Sequence, residues 1–339
     1  MQRPIERDPA RANRGEIIDD IGRRINYARI SVTDRCNYRC SYCMPEDGVS
    51  GLRHDEIMRY EDITFLCRVL EGLGVRKFRF TGGEPLVRKG MITFLRGFRR
   101  DFPNAALALT TNASLLGKYS ADLAGIGLAS LNISLDTLNP EKFRRITRVG
   151  DLRDVVAGVG AARAAGVPTI KTNTVLIRGF NDDELPAILS FAWDNGFMPR
   201  IIEFMPLDGA LWREDKFISA REVLGASPFY EPWRPTAPEG TGEVPSGPAA
   251  YYIDNRNRVV GIIDAVSKHF CASCNRLRVS ASGCLRACLF GAADVRLLDM
   301  LRERDEVLLR EAVLTGMMTK PEHWDVSSFG AGNMSGIGG

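Results

Sequence analysis

The sequence predicts an α/β protein built on a parallel sheet with helices outside it. Two observations carry this. Short β-rich runs alternate with amphipathic stretches over the first two-thirds of the chain, and polar residues collect directly after those runs. With 339 residues, 45% of them hydrophobic, the chain can bury one barrel-sized domain with an extension, or two domains. A doubly wound sheet and a complete or partial (β/α) barrel both fit the periodicity.

The strand candidates are Ala28–Val32, Lys77–Phe80, Ala106–Thr110, Leu131–Leu135, Ile170–Leu176 and Ile201–Phe204, where β-formers cluster. Between them, helical spacing of apolar residues marks Asp62–Leu73, Met91–Phe102, Leu116–Ala124, Arg153–Ala165 and Asp183–Asn195. Asn181 or Asp182 is the expected N-cap of the last helix and Gly196 its stop. The strand candidates run into Thr81-Gly82-Gly83-Glu84-Pro85, Thr110-Thr111-Asn112, Ser134-Leu135-Asp136, Lys171-Thr172-Asn173 and Glu203-Phe204-Met205-Pro206. Polar strand ends are what a site on the top face of a barrel requires, although capping and turn chemistry account for some of them. Residues 226–248, rich in Pro and Gly, form a long connection. Beyond it, Ala250–Ile253 and Val259–Ile263 flank a hairpin turn at Asp254-Asn255-Arg256-Asn257. Arg276–Val279 is a further strand turning at Ser282-Gly283, and helices are expected around Asp294–Leu301 and Arg304–Thr315.

A net charge of +3 gives no global polyanion-binding field, and no apolar run is long enough to span a bilayer. Residues 1–22 are expected to be a flexible arm. Their start carries Arg3, Arg7, Arg11 and Arg14 and no signal-peptide core, which points to the cytoplasm. In a reducing compartment the eight cysteines read as metal ligands rather than disulfides. The three histidines, His54, His269 and His323, have no nucleophile context and read as surface or packing residues.

Two cysteine sets carry the chemistry. Cys36, Cys40 and Cys43 are spaced C-x3-C-x2-C; Cys271 and Cys274 form C-x2-C, with Cys288 further on. A [4Fe–4S] cube normally takes four cysteines, so three leave one iron open to a small molecule. Zinc is the competing reading, but a structural zinc site wants four ligands, and His54 is the closest candidate for a fourth. In the Gly82-Gly83-Glu84-Pro85 turn, the glycines allow close backbone approach and Glu84 can accept from a ligand amine. Cys67, in an amphipathic stretch, reads as a small core residue.

The cysteine triplet with Tyr42 before its last member, followed by Gly-Gly-Glu-Pro after the next strand, resembles the radical S-adenosylmethionine (SAM) superfamily. Cys271-x2-Cys274-Asn275-Arg276-Leu277-Arg278, then Cys288 and the Gly338-Gly339 end, resembles more narrowly the GTP 3′,8-cyclases (molybdenum cofactor biosynthesis protein A). The resemblance runs from about Arg24 to the last residue and includes Arg29–Cys36, Arg79–Pro85, Asn132–Asp136 and Arg200–Pro206.

That resemblance implies an incomplete (β/α)6 TIM-like barrel over 23–225, and a C-terminal region over 226–339 that carries a second Fe–S cluster. It implies two [4Fe–4S] clusters, on Cys36, Cys40 and Cys43 and on Cys271, Cys274 and Cys288, with Cys284 a bystander. It places SAM against Tyr42, Gly82, Gly83, Glu84, Ser134 and Met205, and GTP against Arg29, Arg79, Thr110, Lys171, Arg200, Arg276, Leu277 and Arg278. Guanidinium forks suit a triphosphate, and Arg276 and Arg278 alternate along one strand so as to share a face. Arg276 and Arg278 are expected to act in catalysis. So are Gly338 and Gly339, as a thin probe into the site. Expected partners are GTP, the next pathway enzyme (cyclic pyranopterin monophosphate synthase) and an electron donor such as flavodoxin or ferredoxin, without nucleic acid or membrane and with a homodimer left open. Two rivals remain at this point: a radical SAM enzyme that modifies a peptide, and a zinc-stapled nucleic-acid-binding module. The low charge and the lack of an aromatic platform weaken the second.

Overall fold

The computed structural model describes residues 15–48, 51–206, 212–226, 233–237, 247–291 and 294–324. Its centre is a run of six parallel strands in chain order: β1 (Tyr27–Ser31), β2 (Lys77–Thr81), β3 (Ala106–Thr111), β4 (Ser130–Ser134), β5 (Ile170–Leu176) and β6 (Met198–Glu203). The connections carry α1 (Tyr60–Gly72), α2 (Met91–Asp101), α3 (Leu116–Ile126), α4 (Pro140–Thr147), α5 (Leu152–Ala164) and α6 (Leu185–Asp194). These are βα units, in which a parallel pair needs a crossover long enough for a helix.

The two faces of the sheet differ, and the period of two in the sequence is the cause. One set of alternate residues (Ala28, Ile30, Phe78, Phe80, Leu107, Leu109, Leu131 and Ile133) packs with Leu66, Leu70, Phe94, Leu95, Phe98 and Leu123 in a single buried core. Phe78, Phe80, Phe94 and Phe98 meet there edge to face at 4.9–5.4 Å between ring centres. The other set (Arg29, Arg79, Asn132, Lys171, Asn173 and Arg200) turns to a cavity on the opposite face. Apolar burial therefore holds the helices to the outside and frees the inside for polar chemistry.

The C-terminal third extends this same sheet. After α7 (Ala220–Ala226), β7 (Arg234–Thr236) and β8 (Ala250–Ile253) lead to β9 (Val259–Ile263), which joins the β6 edge in parallel. The strand β10 (Arg276–Val279) joins the β1 edge, also in parallel, followed antiparallel by β11 (Cys284–Arg286) and β12 (Asp294–Arg296). The strand order is β12-β11-β10-β1-β2-β3-β4-β5-β6-β9-β8-β7, so the two ends do not pair among the described residues and the barrel stays open. The helices α8 (Leu298–Glu303) and α9 (Glu306–Met317) close the chain's described part.

Several details differ from the sequence reading. The fold starts before residue 23: Ile17 is buried, its N–H donates to Leu73 O, and its carbonyl accepts from Ile25 N. Asp294–Arg296 is an edge strand rather than helix, held by the Arg286–Asp294 ion pair at 2.8 Å. The helix α4 was not anticipated, although Asn139-Pro140 is a legible start: Asn139 Oδ1 accepts from Glu141 N and Lys142 N. Asn181 does not cap α6. Its amide ties Ile177 N to the carbonyls of Asp136 and Val175. Gly196 does end α6, in the left-handed region at φ 71°. The Gly283 turn and the Asp254 hairpin stand where the sequence placed them.

Candidate active site

One cavity on the polar face receives side chains from every strand between β10 and β9, together with both cysteine sets. The first set sits in the loop after β1. That loop is seated on the C-terminal end of α4: Arg39 N and Ser41 N donate to Thr147 O and Ile146 O, and Arg148 Nη1 donates to the carbonyls of Arg39 and Met44. Gly82 and Gly83 approach the same loop from β2. A Cβ on Gly83 would stand 2.3 Å from Arg35 O, which explains why these positions carry no side chain. Tyr42 Oη donates to Asp136 Oδ2 at 2.7 Å, and Asp136 Oδ1 accepts from Val175 N, so the loop is latched to β5 as well.

Burial pushes the Cys36 thiol up to about 11 and Cys40 well above its ordinary value. Such thiols release protons when they bind metal. Among the described residues, no three His, Cys, Asp or Glu side chains converge on a single metal ion. Both triplets line the cavity wall, and a donor set of three thiols fits a cube with one iron left open.

Cys271, Cys274 and Cys288 face the opposite end of the same cavity, with Phe270, Phe290 and Trp324 beside them. Burial raises the Cys274 thiol, but Arg276 and Lys320 outweigh it and bring it down to about 6. Cys284 does not line the cavity, and its sulfur accepts from Ser282 Oγ.

Between the cysteine sets the wall is cationic: Arg29, Lys77, Arg79, Lys171, Arg200, Arg276 and Arg278 all reach it. The registers Arg29↔Arg79 and Arg29↔Arg278 place like charges side by side across β2, β1 and β10. Burial lowers Arg278 to about 10, with Arg276 adding to the effect. Burial raises the Tyr27 phenol, yet Arg79, Arg29 and Lys77 overcome that and bring it down to about 7. Arg79 bonds Tyr27 Oη and Thr110 Oγ1, while Arg200 Nε and Nη2 are buried without a hydrogen-bond partner. Crowded, desolvated cations, with two donors of Arg200 unspent, suit a multiply charged anion.

Most residues singled out by sequence meet in this cavity: the six cysteines, Tyr42, Gly82, Gly83, Ser134, Met205, Thr110 and the cations named. Two do not reach it. Glu84 is fully buried behind the turn. Its carboxylate accepts from Leu86 N, Thr111 Oγ1 and Asn112 N, and burial raises it to about 7. It organises the turn rather than presenting a free acceptor. Leu277 points to the apolar core. Gly338 and Gly339 lie outside the described residues. Tyr27, Tyr251 and Lys320 line the cavity without having been singled out, as do Asn132 and Asn173, which the sequence named only within longer segments. The strand alternation of Tyr27 with Arg29 and of Lys171 with Asn173 was the available signal. His54, His269 and His323 are exposed.

A family model described as the radical SAM superfamily matches residues 30–192, and one described as Molybdenum Cofactor Synthesis C matches 198–326. The GTP 3′,8-cyclase of Peptoclostridium acidaminophilum is 43% identical over 92% of this chain and 94% of its own length. That of Geobacter sulfurreducens is 42% identical over 92% and 95%. The chain belongs to the GTP 3′,8-cyclase family. As radical SAM enzymes its members bind a [4Fe–4S] cluster and SAM, and the first cysteine loop lies within the matched residues. Family membership sets aside both the peptide-modifying and the zinc-module readings. Among solved structures, Streptococcus suis SuiB bound to precursor peptide SuiA aligns with a TM-score of 0.50 at 16% identity, over 59% of this chain and 44% of that one, a likeness of fold. Among the described residues no helix is long and apolar enough to cross a membrane.

Proposed function

We propose that the chain converts GTP to (8S)-3′,8-cyclo-7,8-dihydroguanosine 5′-triphosphate, using a second [4Fe–4S] cluster on Cys271, Cys274 and Cys288. The observation that carries this is the single cavity with a cysteine triplet at each end and a cationic wall between. The first cluster and SAM, when bound, supply the 5′-deoxyadenosyl radical. The residues of this chain do the rest. Gly82, Gly83, Ser134, Met205 and the Tyr42 backbone border the SAM position. Arg29, Arg79, Thr110, Lys171, Arg200, Arg276 and Arg278 grip the triphosphate, and Cys271, Cys274 and Cys288 would hold the second cluster, which would supply a coordination position for the guanine edge. Holding ribose C3′ against guanine C8 within one molecule is catalysis by position. The site belongs in the cytoplasm, fed by an electron donor such as flavodoxin or ferredoxin and drained by cyclic pyranopterin monophosphate synthase. An anaerobic assay with GTP, SAM and dithionite tests it: 5′-deoxyadenosine without a cyclised nucleotide would overturn the substrate assignment.

Three outcomes are expected, the first two from the geometry and the third from the family resemblance. Arg276→Ala or Arg278→Ala should weaken GTP binding about 10- to 100-fold, the loss of one charge-assisted bond of about 1.5–3 kcal/mol. Calorimetry on the reconstituted protein reads this, with the iron content unchanged; native affinity in both variants would remove them from the site. Cys284→Ala should keep the full iron content while Cys288→Ala loses one cluster's worth, because only Cys288 faces the cavity. Mössbauer spectra distinguish this from the reverse pattern, which would reassign the ligand. Deleting Gly338 and Gly339 should leave SAM binding and iron intact but stop cyclisation. Cyclic nucleotide at the undeleted rate would show the pair to be dispensable.

A further inference from the structure

Two buried cations near the second cysteine set spend their donors on main-chain carbonyls. Lys320 Nζ donates to Arg276 O at 2.8 Å and to Ala287 O at 2.6 Å. Those two carbonyls lie just past the end of the β10–β11 ladder, whose rungs are Val279↔Leu285 and Arg278↔Arg286. Beyond Arg278 the strands part, one toward Cys274 and the other into Cys288, and the ammonium bridges them where the ladder stops. Arg23 holds the rest. Its Nη1 donates to Cys271 O at 2.8 Å, its Nη2 to Lys320 O and Pro321 O at 3.2 and 2.9 Å, and its Nε to the buried Asp19 carboxylate. Asp19 is fixed in turn by Arg23 N at 2.9 Å and Ile21 N at 3.2 Å. Lys320 is 6% exposed and lines the same wall as the three thiols.

We propose that Lys320 is the positioning residue of the second three-cysteine site: it sets the separation of the Cys274 and Cys288 segments and keeps a positive charge beside the metal, while Arg23 anchors Cys271 and the Lys320 segment. The proposal rests on the second-cluster reading above. Three thiolates outweigh the charge of an oxidised cube, and reduction adds another negative charge. A neighbouring cation in a low-dielectric wall therefore favours the reduced state. An uncharged chain at 320 would leave the carbonyls of Arg276 and Ala287 without this donor, a cost the local fold would meet by letting the segments part.

The test uses the full chain carrying Cys36→Ala, Cys40→Ala and Cys43→Ala, in which only the second cluster can form, reconstituted anaerobically with iron and sulfide. Into it go Lys320→Met and Lys320→Arg, and the midpoint potential is read by EPR during a redox titration. Lys320→Met is expected to lower the potential or to shed the cluster, and Lys320→Arg, which keeps the charge, to restore cluster and potential. Equal iron and equal potential in Lys320→Met overturns the proposal. So does a Lys320→Arg chain that behaves like Lys320→Met. If Lys320→Met does not fold, judged by circular dichroism, Lys320→Arg decides alone: it must keep the cluster at the native potential. If the parent chain with native Lys320 takes up no iron at all, it is the second-cluster reading that fails.

Discussion

Replacing any one of Cys36, Cys40 or Cys43 with Ala is expected to abolish 5′-deoxyadenosine formation. Each substitution leaves the first cluster with two protein ligands, and the described residues offer no stand-in. Cys67 is wholly buried inside α1, and the second cysteine set lies at the far end of the cavity. The carboxylate on this loop's own latch, Asp136, is committed to Tyr42 Oη and Val175 N. The loop itself should persist, because main-chain bonds to Thr147 and Ile146 hold it in addition to the contacts of the Cys36 sulfur with Tyr38 N and Asn112 Nδ2. GTP affinity should therefore survive in all three variants, since the cationic wall is built from the strands. Chromatographic assay of 5′-deoxyadenosine with excess dithionite, alongside GTP calorimetry, separates loss of chemistry from loss of fold. Near-native cleavage by any single variant would sink the assignment of that cysteine.

The strands were legible because each carries a strong local signal: β-formers at period two, bounded by turn residues, long enough to resist ambiguity. Arg29, Arg79, Lys171 and Arg200 were expected from the family resemblance, and the strand alternation explains why they share one face of the sheet. What escaped was set by distant partners. The strand β12 is three residues long, and its pairing depends on Arg286 meeting Asp294. Ile17 is buried by Leu73 and Ile25, neither of which is visible from a polar arm. Glu84 was read as facing a ligand because the turn was. Only the fold brings Thr111 and Asn112 close enough to draw its carboxylate inward. Lys320 lies in a stretch without pattern and acquires its place from the carbonyls of Arg276 in β10 and of Ala287 just after β11.

A single methyl group on Gly83 should do nearly as much damage as removing a cysteine. Its Cβ would stand 2.3 Å from Arg35 O, 2.5 Å from Arg35 C and 2.9 Å from Asp34 O, all main-chain atoms with no rotamer to yield. Relief requires the 33–36 segment to withdraw from the 82–84 turn. That withdrawal breaks Gly83 N to Thr33 O at 2.8 Å and Glu84 N to Arg35 O at 2.9 Å, at about 1–3 kcal/mol for the two bonds. Arg35 immediately precedes Cys36, so the displacement passes directly to the first ligand. Gly83→Ala is accordingly expected to lower Tm, reduce the iron held at the first site and remove SAM cleavage. Gly97 in α2 is the control: a Cβ there meets nothing within 4 Å, and Gly97→Ala should stabilise by about 0.5–1 kcal/mol without touching activity. Thermal unfolding and iron analysis of both variants measure the contrast. A Gly83→Ala enzyme with native Tm and native 5′-deoxyadenosine yield would show that the turn and the cysteine loop can separate without cost, against the close approach that the structure places between them.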